Sequence, residues 1–200
     1  MLQIKAITLG PTGSGKSSFL NRIVHNKFTK STLPTIGVDF FSKEYPIKNA
    51  KIVFWDTAGQ EYYNSLNVSY YRNSSIIICL FDLNDTNGID DIIKKLEDCN
   101  HYCSKHTFVS LIGNKSDLQI PSNKLQTISK QINNFCNQYN AKYYQISCLN
   151  GDNCNETIND IIDNCLENYP KEEEDNMETV VLIPESPQVP SCKKLFCCRI

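Results

Sequence analysis

The chain has no long hydrophobic run. Its longest apolar stretch, residues 76–81, is the length of a strand, whereas a helix needs roughly 20 apolar residues to cross a bilayer. It carries little net charge: 20 Lys and Arg against 22 Asp and Glu give −2, so there is no electrostatic reason to expect nucleic acid as a partner. The first residues lack a basic segment followed by an apolar one, and no secretory signal is expected. Ten cysteines are present, yet no paired CxxC sites have zinc-like spacing. Apart from the adjacent pair Cys197-Cys198, they are expected to be small buried hydrophobes in a reducing compartment. Cys99 and Cys103, four apart on an expected helix, find no second ligand pair. Triplets such as Asn67-Val68-Ser69 carry no glycosylation reading without a secretory route. No internal repeat is visible.

What is there reads as one ordinary globular core. The hydrophobic fraction is 40% and the mean hydropathy −0.36, values that fit neither a disordered nor a membrane-spanning chain. Residues 2–9 alternate apolar and polar and predict a first strand. Residues 16–24 have helical character, with Phe19, Leu20, Ile23 and Val24 on one face. A polar loop with Pro34 follows over 27–37. Strands are predicted at 38–45 and 51–55, joined by Lys48-Asn49-Ala50, and at 75–82, 107–113 and 142–146. Helices are predicted at 89–103, 125–139 and 156–168. Apolar strands alternating with helices imply an α/β fold with a largely parallel sheet covered on both faces. Composition changes at Tyr169-Pro170, where a charge run and three prolines begin, so residues 170–200 are expected to be a flexible tail after a single domain over 1–169.

Three motifs carry chemistry. Gly10-Pro11-Thr12-Gly13-Ser14-Gly15-Lys16-Ser17 matches GxxxxGK[ST] between a strand and a helix. Its glycines let backbone N–H groups converge on phosphate oxygens at a helix N-terminus. Lys16 supplies a full charge for the β- and γ-phosphates, and the Ser17 hydroxyl is placed for Mg²⁺. Next, an apolar strand ends in Asp56-Thr57-Ala58-Gly59-Gln60-Glu61. Asp56 is placed to hold Mg²⁺ through water, Gly59 offers an N–H to a γ-phosphate, and Gln60 can orient attacking water. The third is Asn114-Lys115-Ser116-Asp117. A carboxylate there accepts two hydrogen bonds from guanine N1–H and the 2-amino group, a donor pair adenine lacks.

These motifs in this order resemble the small GTPases of the Ras superfamily, and within it the Rab family. The resemblance covers residues 2–168 and returns at the last four. Ile36-Gly37-Val38-Asp39-Phe40, Trp55 before the second motif, Tyr70-Tyr71-Arg72 and Leu80-Phe81-Asp82 carry the Rab likeness. It implies a P-loop GTPase domain: a mostly parallel six-stranded sheet with one antiparallel strand and helices on both faces. It implies a slow hydrolase acting on GTP and a GTP/GDP switch in vesicle traffic. By the match, Thr35 joins Mg²⁺ through its hydroxyl and reads the γ-phosphate through its N–H, and with Lys16 and Gln60 it makes up the catalytic set. Phe28 packs edge-on against guanine. Ser147-Cys148-Leu149 stands where the family has Ser-Ala-Lys, with the Cys148 N–H facing the guanine O6. Ser18 and Leu118 complete the implied nucleotide contacts. Phe40, Trp55 and Tyr70 match the aromatic triad that meets effectors.

Several positions depart from the family pattern. Leu149 replaces a lysine, Thr12 is larger than glycine, Pro11 removes an N–H, Thr32 stands where many relatives have an aromatic, and Tyr62-Tyr63 replaces an arginine-aromatic pair. Two other readings follow from them or from the superfamily: a nucleotide-binding scaffold with little turnover, and a Ras-type signalling GTPase. Cys197-Cys198-Arg199-Ile200 resembles double-cysteine prenylation ends, and two lipid chains meet the requirement for stable anchoring. The implied partners are an exchange factor, an activating protein that supplies an arginine in trans, effectors, an escort protein or GDI, and a geranylgeranyl transferase. The implied location is the cytoplasmic face of an intracellular membrane, with a soluble cytosolic pool and a monomeric core.

Overall fold

In the computed structural model, residues 1–29, 34–59, 70–99, 103 and 106–169 are described. The expectations for Thr32, Gln60, Glu61, Tyr62, Tyr63, Cys197 and Cys198 lie outside them. In chain order the elements are β1 (Leu2–Leu9), α1 (Lys16–His25), β2 (Val38–Tyr45), β3 (Ala50–Thr57), β4 (Ile76–Asp82), α2 (Gly88–Cys99), β5 (Phe108–Asn114), α3 (Ser122–Tyr139), β6 (Lys142–Gln145) and α4 (Cys154–Glu167). The six strands form one sheet in the order β2-β3-β1-β4-β5-β6. β2 pairs antiparallel with β3, and the other four pairings are parallel.

The continuous apolar run of β4 is explained by helices on both faces. Because successive side chains alternate, Ile76, Ile78 and Leu80 enter one core, with Phe19, Leu20 and Ile23 of α1 and Ile158, Ile161 and Ile162 of α4. Ile77, Cys79 and Phe81 enter the other, with Ile89, Ile92 and Leu96 of α2 and Ile128 and Phe135 of α3. β1 divides likewise, Ile4 and Ala6 to the first layer and Ile7 and Leu9 to the second. Each fully buried Ile, Leu or Phe contributes roughly 1.5–3 kcal/mol by leaving water. Two such layers hold the C-terminal ends of β1, β3, β4 and β5 in a fixed register, and the functional loops leave from those ends. Ligands of open α/β sheets bind there.

The sequence reading differs from the structure at element ends. α2 is described as far as Cys99, and Cys103 lies in a bend rather than a helix, so the two cysteines do not share a helix. The hairpin closes with a 3₁₀ turn, Pro46–Lys48, followed by Asn49 at φ 48°. Asparagine tolerates that left-handed conformation, and β3 therefore starts at Ala50. α3 begins at Ser122, where Lys124 N–H bonds the Pro121 carbonyl at 2.9 Å. Its first turn is polar, so apolar periodicity reveals the helix only from Leu125. Cys79, Cys103, Cys136, Cys148, Cys154 and Cys165 are unbridged, and four of them are buried. Among the described residues no helix is long and apolar enough to cross a membrane.

Candidate nucleotide-binding site

The loop between β1 and α1 is shaped by glycine. Gly15 caps α1 at φ 98°, and a Cβ there would sit 2.2 Å from Asn114 Nδ2. One at Gly10 would sit 2.0 Å from the Leu80 carbonyl oxygen. The loop is thus pressed against the ends of β4 and β5 at Gly10 and Gly15, where a side chain has no room. Lys16 is buried and donates to the carbonyls of Gly10 and Pro11 at 2.9 and 3.0 Å. Burial, with a smaller push from Lys95, lowers its pKa to about 8, against an opposing pull from Asp56. A buried ammonium in that condition gains from an added anion. The buried Ser14 Oγ has no hydrogen-bond partner, as expected of a loop that a ligand completes.

Three oxygens converge beside Lys16. Ser17 Oγ donates to Asp56 Oδ2 at 2.5 Å and lies 3.0 Å from Thr35 Oγ1. Thr8 Oγ1 donates to the other Asp56 oxygen at 3.1 Å. Asp56 is fully buried, and burial raises its carboxyl above the usual range despite hydrogen bonds from Ser17 and Thr8 and the charge of Lys16. Two hydroxyls and one carboxylate are a hard-oxygen donor set. Such a set fits Mg²⁺, which keeps several waters and takes one or two carboxylates plus substrate phosphates. The adjoining Gly59 lies against the phosphate loop: a Cβ on it would fall 2.5–2.6 Å from three atoms of Thr12.

The base end is assembled from three separate loops. Asn114 donates through Nδ2 to the Ser14 carbonyl at 2.9 Å and accepts from the Cys148 N–H at 3.1 Å. It thereby joins the third motif to the phosphate loop. Lys115 adopts φ 66°, and its ammonium pairs with Asp82 at 2.7 Å. Ser147 Oγ donates to Asp117 Oδ1 at 2.5 Å, which fixes the carboxylate. A cavity of about 490 Å³ runs from this end to Lys16. Thr12, Gly13, Gly15, Lys16, Ser17 and Ser18 line its phosphate end; Thr35 and Gly59 its flank; and Phe28, Asn114, Lys115, Asp117, Cys148 and Leu149 the rest. Ser14, Asp56, Leu118 and Ser147 lie outside that lining.

The wall also includes Thr29 and Pro34, which no motif marked, and Thr57, which the second motif contains without a role assigned to it. Arg22 was likewise missed. From α1 its guanidinium donates to the Cys148 carbonyl at 3.1 and 3.0 Å and to the Leu149 carbonyl at 2.8 Å. It also stands 6.0 Å from the Phe28 ring centre. A helical arginine gives no local sign of partners 126 residues away. Arg22→Ala is expected to release the Ser147–Leu149 loop and speed GDP dissociation about fivefold, since charged hydrogen bonds contribute roughly 1.5–3 kcal/mol and part is recovered by water. A fluorescent-nucleotide chase measures it; an unchanged off-rate contradicts the bracing role.

Away from the cavity, Phe40 and Trp55 face each other across β2 and β3, with ring centres 4.6 Å apart. Tyr70 lies 5.7 Å from Trp55. Lys5 stands 4.0 Å from the centre of the Trp55 ring and donates to the Arg72 carbonyl. Phe40 remains 62% exposed, so the aromatic cluster presents a surface.

Strand, glycine loop, helix and a cavity ending in an Asn-Lys-x-Asp loop define a P-loop nucleotide-binding domain. The Ras family model matches residues 5–167. The chain is 32% identical over 177 residues to Ras-related protein Rab7 of Cenchrus ciliaris, covering 85% of each chain. It is 32% identical over 162 residues to a probable Rab-related GTPase of Acanthamoeba polyphaga mimivirus, 80% of this chain and 74% of that one. Ras-related protein SEC4 of Saccharomyces cerevisiae is 32% identical over 158 residues, 76% of this chain and 70% of SEC4. The chain belongs to the Ras family, on its Rab branch, as a small GTPase that hydrolyses GTP and regulates vesicle traffic. Family members work with GTP and GDP and with exchange factors, activating proteins and effectors, and generally need Mg²⁺.

Proposed function

We propose that this GTPase is a lipid-anchored switch whose cavity residues divide the work between phosphate, base and water. The supporting observation is that Lys16, Ser17, Thr35, Gly59 and Asp117, spread over 102 positions of sequence, meet around one cavity of about 490 Å³. Lys16 neutralises the β- and γ-phosphates, and the N–H groups of Gly13, Gly15 and Ser18 hold phosphate oxygens. Asp117 accepts from guanine. The Cys148 N–H, which donates to Asn114 Oδ1, is shared with the guanine O6 when the base is bound. Phe28 and Leu149 pack around the base, with Leu118 beyond the cavity wall. Ser17, Thr35 and Asp56 would hold Mg²⁺, which when bound offsets phosphate charge. Thr35 and Gly59 read the γ-phosphate through their N–H groups. Gln60 orients the water that attacks the γ-phosphorus as the bond to the β-phosphate oxygen breaks. Loss of phosphate removes both ties, and the surface carrying Phe40, Trp55 and Tyr70 changes with them.

In the same reading, residues 1–169 are the catalytic domain and 170–200 a spacer. Cys197 and Cys198 each take a geranylgeranyl group from a transferase aided by an escort protein. That places the core at the cytoplasmic face of an intracellular membrane, with GDI holding a cytosolic pool. An activating protein supplies a cation in trans. Single-turnover hydrolysis of bound GTP is the test: Gln60→Leu is expected to slow it by about 100-fold or more, since a positioned proton-transfer or water-orienting group contributes roughly 10²–10⁴-fold. Equal rates in parent and variant remove Gln60 from the mechanism.

A further inference from the structure

Lys95 has no place in the motifs, and it is not on the cavity wall. It stands on α2, seven residues beyond Gly88, on a helix that runs close to the phosphate loop. A Cβ on Gly88 would lie 3.0 Å from Phe81 Cβ and 3.7 Å from Pro11 Cγ, so the missing side chain lets α2 approach. From there the half-buried Lys95 ammonium donates to two backbone carbonyls, Gly59 at 3.0 Å and Gly10 at 3.2 Å. Lys16 donates to the same Gly10 carbonyl at 2.9 Å. Two ammonium groups therefore share one acceptor, an arrangement that like-charge repulsion opposes. Burial of apolar α2 residues against β4 holds Lys95 in this position.

The Gly59 carbonyl is half of the peptide bond that leads from Gly59 to Gln60, and a peptide is planar. Fixing that oxygen fixes the plane of the Gly59–Gln60 peptide just beyond β3. We propose that Lys95 is a positioning residue for GTP hydrolysis, pinning the Gly59 carbonyl to Gly10 so that Gln60 starts from a set place. It deepens the reading above and rests on the water-orienting role of Gln60. Small displacements of an orienting group lower rates steeply even when binding persists. Lys95 accordingly acts on turnover and little on affinity.

The test uses the full chain loaded with GTP, in single turnover, beside GDP dissociation from the same preparations. Lys95→Met keeps the length of the side chain and removes its donors. It is expected to slow hydrolysis about tenfold, within the range a misplaced group produces, with GDP dissociation within about twofold of the parent. Lys95→Arg, which keeps charge and donors, is expected to recover most of the rate. In the Gln60→Leu background, adding Lys95→Met should change little, because two residues acting through one step are not additive. Parent-rate hydrolysis by Lys95→Met overturns the proposal, as does an equal slowing in the Gln60→Leu background. If Gln60→Leu itself hydrolyses at the parent rate, the role of Gln60 falls and this proposal falls with it. If Gln60→Leu is slow and Lys95→Met is not, only the Lys95 proposal fails.

Discussion

Lys16→Met is expected to weaken binding of both GTP and GDP by about 100- to 5000-fold, the roughly 3–5 kcal/mol cost of stripping one partner from a buried charge pair. Lys16 is 6% exposed, and its ammonium already donates to the Gly10 and Pro11 carbonyls. Phosphate binding therefore needs no rearrangement of the loop to reach it. Methionine preserves the stem that packs at the start of α1 and removes the charge alone. Its sign on stability is opposite to its sign on binding. The depressed Lys16 pKa, about 8, shows that burial disfavours the charged form, so the nucleotide-free variant should melt no lower than the parent. Ligand stabilisation, which follows RT ln(1 + [L]/Kd), should nearly vanish. Calorimetric titration with GDP, paired with melting curves with and without GDP, reads both. Binding within threefold of the parent would show that the loop's backbone N–H groups suffice without the cation.

Asp117→Ala should cost guanine nucleotides roughly 100- to 10,000-fold, from two charge-assisted hydrogen bonds of about 1.5–3 kcal/mol each. ADP affinity should hardly move, because adenine has no donor pair to lose. The structure prepares the carboxylate for this task. Ser147 Oγ holds one oxygen at 2.5 Å, and the Asn114 side chain ties its loop to both Ser14 and Cys148. Competition of GDP and ADP against one fluorescent nucleotide isolates selectivity from any general loosening. Equal loss for the two bases would make Asp117 a structural residue of the loop.

The sheet was legible because its strands are short apolar or alternating runs between turn or loop signals. Residues 76–81 announce burial on both faces, and the structure splits them between two cores. The cavity was legible because its backbone-dependent parts need particular residues: glycine where a Cβ would strike Leu80 or Asn114, and aspartate where guanine presents two donors. Element ends were less so. The polar first turn of α3 has no periodicity, and the hairpin turn depends on Asn49 at φ 48°, a conformation asparagine permits without requiring. Arg22 and Lys95 were illegible as site residues. Their partners are backbone carbonyls, which carry no residue identity, and they lie far away in sequence. Lys95 reaches Gly10 across 85 positions, and only the packing of α2 brings it there.

The central claim is that this cavity selects a guanine nucleotide, and titrating the parent chain with GDP and with ADP under the same Mg²⁺ concentration tests it most directly. A site built around hydrogen bonds to one base rejects a base lacking those donors by about 10⁴-fold or more, and a preference of that order for GDP is the predicted result. ADP binding within tenfold of GDP would contradict it.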